Sequence, residues 1–272
     1  MQSREEILET LHFYIEAGVD EVIGDTPVDQ YALSAQPKAA PAQKPSAPTI
    51  RASAAIATPA PKAKAPSLNI SEEIARAEKL AAEASTLEEL NSAIASFNGS
   101  ALQKMAMNTV FAKGNAGARL MVIDRPPGAE EDRQGIPFAA ANGQMLSRML
   151  KAIGIEEDGF YAAACLPWRP PGGQAPAKED RMLCLPFLKR HIELAAPEML
   201  LLCGEAAAIL LEKDRVGINK LRGNWESVEV GDKSIPALPI FHPAFLMDHP
   251  ASKKLAWRDL LDLKSHLASG TQ

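Results

Sequence analysis

The sequence predicts a three-layer α/β/α sandwich built on a roughly four-stranded parallel sheet. Three observations carry this. Four short apolar runs read as strands buried on both faces, stretches of helical length separate them, and turns carrying Pro or Gly follow three of the runs. Strands joined by helices of this length favour right-handed crossovers, which set the strands parallel and cover both faces of the sheet.

The first 34 residues place Ile7, Leu8, Leu11, Tyr14 and Ile15 at helical spacing opposite a set of acids, an acidic amphipathic helix that ends at Gly18. Residues 35–67 are almost entirely Ala, Pro, Ser and Lys. Such a segment cannot bury enough apolar surface to offset its ordering entropy, and it reads as a disordered linker extended in part by its prolines. The globular domain is assigned to residues 68–272. It opens with helices over 71–84 and 87–97, the second started by Thr86 and Glu89 at capping-box spacing. A strand over 119–124 follows, then a helix over 142–153, a strand over 160–166, a helix over 178–194, a strand over 198–203 and a helix over 205–211. An irregular stretch over 222–233 leads to the last strand, 237–241, and the last helix, 252–267.

Composition limits the function classes. No apolar run approaches the roughly 20 residues that cross a bilayer, and the acidic N-terminus lacks the pattern of a secretory signal, so the expected location is cytoplasmic with no membrane partner. Three cysteines, Cys165, Cys184 and Cys203, lie in apolar stretches and read as buried thiols. Of the net charge of -5, residues 1–34 carry eight acids against Arg4 alone, residues 35–66 carry five bases and no acid, and the remainder is left at -3. A nucleic-acid-binding domain usually shows a basic footprint, and this body lacks one in the count. Neither Gly-x-Gly-x-x-Gly nor a P-loop is present, which leaves a nucleotide-binding α/β protein poorly supported.

In a parallel sheet, ligands bind at the carboxyl ends of the strands, so the loops after Asp124, Leu166 and Phe241 should converge on one cleft. The first loop reads Asp124-Arg125-Pro126-Pro127-Gly128 and continues through Glu131, Asp132, Gly135 and Pro137 to Phe138. The second contains Trp168-Arg169-Pro170-Pro171-Gly172, and the third Phe241-His242-Pro243-Ala244-Phe245-Leu246. Each has an ordinary structural reading beside a functional one: a proline-stiffened turn, a core aromatic, a capped histidine at a strand end.

In order and spacing these motifs resemble the iron-sulfur (family 4) branch of the uracil-DNA glycosylase superfamily, over about residues 88–267. The resemblance implies hydrolysis of the uracil N-glycosidic bond in DNA base-excision repair. It makes His242 and Asp124 the catalytic candidates, Phe138, Gly128 and Pro127 the uracil-binding ones, and Arg169, Pro170 and Pro171 the DNA contacts. Uracil would lie between Phe138 and His242, with His242 donating to a carbonyl oxygen as negative charge builds on the leaving base. Several family positions are altered. Arg125 stands where the family has Glu, Asp124 where it has Gly, and Ala164 where an Asn reads the uracil edge. Ser100 and Trp168 stand at cluster-cysteine positions, and Gln174 and Asp248 at basic ones. Only Cys184 matches a ligand position, and one thiolate cannot hold a cubane cluster. The resulting expectations are no metal and no cluster, weak DNA binding, and glycosylase activity reduced or lost. The alternative is a non-enzymatic module whose tethered N-terminal helix binds a protein partner.

Overall fold

The computed structural model describes residues 70–213 and 215–269. The predicted acidic helix and linker lie outside the described residues. Helices α1 (Ile70–Glu83), α2 (Leu87–Ser96) and α3 (Ala101–Met105) lead into strand β1 (Ala112–Gly114). Strand β2 (Leu120–Asp124) is followed by α4 (Ala129–Gln134) and α5 (Ala140–Lys151), β3 (Phe160–Ala164) by α6 (Lys178–Ala195), and β4 (Met199–Cys203) by α7 (Glu205–Leu210) and α8 (Ile218–Leu221). The chain closes with β5 (Glu226–Val230), β6 (Lys233–Ile240), α9 (Pro243–Asp248) and α10 (Lys253–Ser269).

The six strands run in the order β1-β3-β2-β4-β6-β5. The middle four are parallel, as the apolar runs predicted, with Leu120 opposite Phe160 on one side and Met199 on the other. β2, β3 and β4 are buried along their whole length, which is why they are apolar throughout. Alternation along β2 divides the core. Met121 and Ile123 face the layer of α1, α2, α6 and α7, whereas Leu120 and Val122 face α5, α9 and α10.

Two antiparallel edge strands were not foreseen. β1 pairs with β3 over three residues, and the stretch read as irregular holds β5, which turns through Gly231 and Asp232 into β6. Gly231 has φ of 56°, the left-handed conformation a two-residue hairpin needs. Strand β6 therefore begins at Lys233, earlier than the sequence suggests.

Candidate functional site

β2 delivers Asp124 to the carboxyl edge of the sheet, and β6 delivers His242 beside it. Asp124 is 2% exposed and His242 4%. Asp124 Oδ2 accepts the backbone N–H of Phe138 at 2.6 Å, and its Oδ1 accepts the backbone N–H of Arg125 at 2.8 Å. His242 Nε2 lies 2.8 Å from the same Oδ1. The tautomer follows from the other ring nitrogen. His242 caps α9, with Nδ1 accepting the N–H of Ala244 at 3.1 Å, so Nδ1 carries no proton and Nε2–H donates to Asp124. Gly204, at the end of β4, keeps this approach open, since a Cβ there would stand 3.0 Å from His242 Cβ.

Phe138 completes the group. Its ring stacks on the imidazole with centroids 5.6 Å apart and 8° between planes. Its backbone has φ of 49°, unusual for a residue with a side chain. That conformation is gripped from both ends, by Asp124 at the N–H and by Lys113, whose ammonium donates to the Phe138 carbonyl at 2.9 Å. Burial lowers the Lys113 ammonium below its usual value, with Asp124, Glu157 and Glu131 opposing the shift. Two parallel contacts of about 3.5 Å would need about 7 Å between the rings, so as they stand no planar base lies between Phe138 and His242.

Pro127 is buried, and Gly128 starts α4 with its N–H donated to Glu131 Oε2 at 3.1 Å. Glu131 Oε1 accepts Ala139 N–H at 3.1 Å and Asn142 Nδ2 at 3.0 Å, while Asp132 Oδ1 accepts Met107 N–H at 2.8 Å. The two motif acids thus hold loops together. Arg169 is half-buried, and its Nε has no hydrogen-bond partner among the described residues; Pro170 is buried and Pro171 exposed.

A cleft of about 550 Å³ opens beside His242. Arg125, Arg181 and Arg215 line it with Glu205 and Asp248, from the loop after β2, the first turn of α6, the connection between α7 and α8, the start of α7 and the end of α9. Phe138 lines a separate cavity of about 440 Å³ with Lys113, Arg148 and Glu157. Sequence reasoning named Arg125 only as a lost carboxylate and missed Lys113, Arg181 and Arg215. No motif marks them, and only the fold brings them to these cavities.

The sequence pattern of the uracil DNA glycosylase superfamily matches residues 111–261, the span that contains Lys113, Asp124, Phe138 and His242. This chain belongs to that superfamily. Type-4 uracil-DNA glycosylases are similar to it. That of Thermotoga maritima is 30% identical over 166 residues, 59% of this chain and 83% of the relative. That of Archaeoglobus fulgidus is 31% identical over 153 residues, 55% and 77% of the two chains, and that of Saccharolobus solfataricus 29% over 173 residues, 62% and 80%.

These relatives correct one expectation. The cluster was expected to be absent, but the glycosylases similar to this chain are Type-4 enzymes, the branch that carries an iron-sulfur cluster, and that expectation is withdrawn. The side chains at the corresponding positions fit the group poorly. Ser100 caps α3 by accepting Leu102 N–H at 3.1 Å. Trp168 is buried on Phe97, ring centroids 6.3 Å apart, and donates Nε1–H to Thr109 at 3.3 Å. Cys184 is buried, and it is the one thiol at these positions. Among the described residues no group of three or more His, Cys, Asp or Glu side chains could hold a metal ion.

Proposed function

We propose that this uracil-DNA glycosylase homologue acts on DNA bases at the cleft beside His242, with uracil excision reduced relative to its Type-4 relatives. The observation that carries the reading is the buried Asp124, His242 and Phe138 constellation, in which the imidazole proton sits on Nε2. A fixed Nε2–H at a strand end is the donor a leaving base needs as charge builds on its carbonyl oxygen. The Phe138 ring, stacked on the imidazole, would have to part from it to offer a flipped base an aromatic face in place of the stacking the base loses. The arginines of the cleft outnumber its acids, Glu205 and Asp248, a small local excess of positive charge that the net charge conceals and that supports DNA as the partner.

The reduction follows from two positions. Ala164 has only a methyl group where the family reads the base with an amide, and Arg125 brings a cation where the family has a carboxylate. A site that recognises its substrate by hydrogen bonds loses discrimination steeply when one is removed. Each lost contact to the developing charge costs on the order of a hundredfold in rate.

The test is single-turnover base release from a uracil-containing single-stranded oligonucleotide with enzyme in excess, comparing wild type with His242→Ala. Slow release that falls a further hundredfold or so without the imidazole is expected. No release by the wild type at any enzyme concentration would transfer the proposal to a non-catalytic module that binds a protein partner through residues 1–34.

A further inference from the structure

We infer that the Asp124 carboxylate occupies the place of the base's carbonyl oxygen, which makes Asp124 the residue that decides whether this site admits uracil. The inference rests on the reading above, in which His242 Nε2–H is the donor to that oxygen. In the structure this donor is already used. Asp124 Oδ1 takes it at 2.8 Å, and Oδ2 takes the backbone N–H of Phe138, the residue whose ring would carry the base, at 2.6 Å. With the Arg125 N–H also on Oδ1, three of the carboxylate's roughly four acceptor sites are filled.

The geometry around the carboxylate belongs to an occupied slot. Asp124 is 2% exposed, so the oxygens are covered, and the Phe138 and His242 rings close to 5.6 Å in parallel planes. His242 cannot present a second proton, because Nδ1 is accepting from Ala244. Uracil would therefore have to break the His242 contact to gain its own, and its carbonyl oxygen would meet a carboxylate, acceptor against acceptor. The family residue at this position is Gly, which has no side chain to place there. Substitution of the Gly by Asp fills the slot from within.

The test uses the full chain as wild type, Asp124→Gly, Asp124→Asn and the double variant Asp124→Gly/His242→Ala, each checked by its thermal melt. Free uracil binding is measured by equilibrium dialysis, and base release from the uracil oligonucleotide in parallel. Asp124→Gly should bind uracil roughly tenfold more tightly or better, the worth of one recovered hydrogen bond, and the gain should vanish in the double variant. Asp124→Asn keeps the volume in the slot and should gain nothing. If Asp124→Gly fails to fold, Asp124→Ala carries the same expectation. Wild-type uracil binding as tight as that of the folded opened variant would overturn the inference, as would no uracil binding by that variant. Uracil binding by Asp124→Gly without base release would sustain the inference and remove the excision reading. Base release by wild type with no gain on opening would do the reverse.

Discussion

At the residue scale the most demanding position is Phe138. A non-glycine residue held at φ of 49° costs on the order of 1–3 kcal/mol, and Ala140 two residues on has the same φ. The turn persists because its polar groups are taken up. Asp124 holds the Phe138 N–H, Glu131 holds the Ala139 N–H, and Lys113 holds the Phe138 carbonyl. Gly143 makes room, since a Cβ there would come within 2.2 Å of that carbonyl oxygen and 2.9 Å of Lys113 Nζ. Lys113→Met should lower stability by about 1–2 kcal/mol, at or below the bottom of the range for a hydrogen bond from a charged group because Lys113 is only half-buried. Gly143→Ala should cost about 1–3 kcal/mol, since the contact is with backbone and cannot rotate away. Urea unfolding checks both. A lowered midpoint at unchanged slope is the expected result, and wild-type midpoints would show that the turn needs neither residue.

At the scale of elements, one ion pair ties the end of α8 to α10 beside the site. Arg222, which ends α8, donates Nε–H to Asp259 Oδ2 of α10 at 2.8 Å and lies over the Phe241 ring, 5.3 Å from its centroid. Phe241 directly precedes His242. Burial raises the Asp259 carboxyl above its usual value, and the Arg222 hydrogen bond opposes that shift. Removing one partner of such a pair strands the other, so Asp259→Ala should cost about 3 kcal/mol and blunt any His242-dependent base release. A stability loss without a change in release would confine the pair to structure. The sequence revealed the parallel strands because burial on both faces leaves continuous apolar runs. It concealed β5 because only Val228 and Val230 of Glu226–Val230 are apolar and Glu229 stands on its open face, and it shortened β6 because Pro236 and the polar Lys233 and Ser234 precede the apolar run. The candidate site divides in the same way. Phe138 and His242 stand in motifs that survive in one chain, whereas the Asp124–His242 bond joins residues 118 apart and exists only once β2 and β6 flank β4. Lys113 lies on a three-residue strand with no periodicity to read.

For the whole molecule, the layer formed by α1, α2 and α6 contains a second buried histidine, on the sheet face opposite Phe138, whose titration bears on global stability. His191 on α6 stacks flat on Phe111, centroids 4.2 Å apart, and its Nε2 meets the Tyr161 hydroxyl of β3 at 3.0 Å. Burial lowers the His191 imidazole to about 3 and raises the Tyr161 hydroxyl to about 12, so in the fold both are neutral between those limits. The unfolded chain binds a proton at His191 below about 6.5, and the folded chain does not until about 3. The unfolded state therefore holds the extra proton in this window, and stability is lost as pH falls through it, by up to about 1.4 kcal/mol per pH unit. Tyr161 mirrors this on the alkaline side, where the unfolded hydroxyl ionises from about 10 and the folded one only near 12. His191→Gln keeps a polar partner for Tyr161 and removes the titration. Urea midpoints at pH 7, 5.5 and 4.5 should fall more steeply for the wild type than for His191→Gln, by up to that slope, because the carboxylates that also titrate there are common to both. Parallel decline of the two proteins would assign the acid sensitivity to the carboxylates, with the buried imidazole contributing nothing.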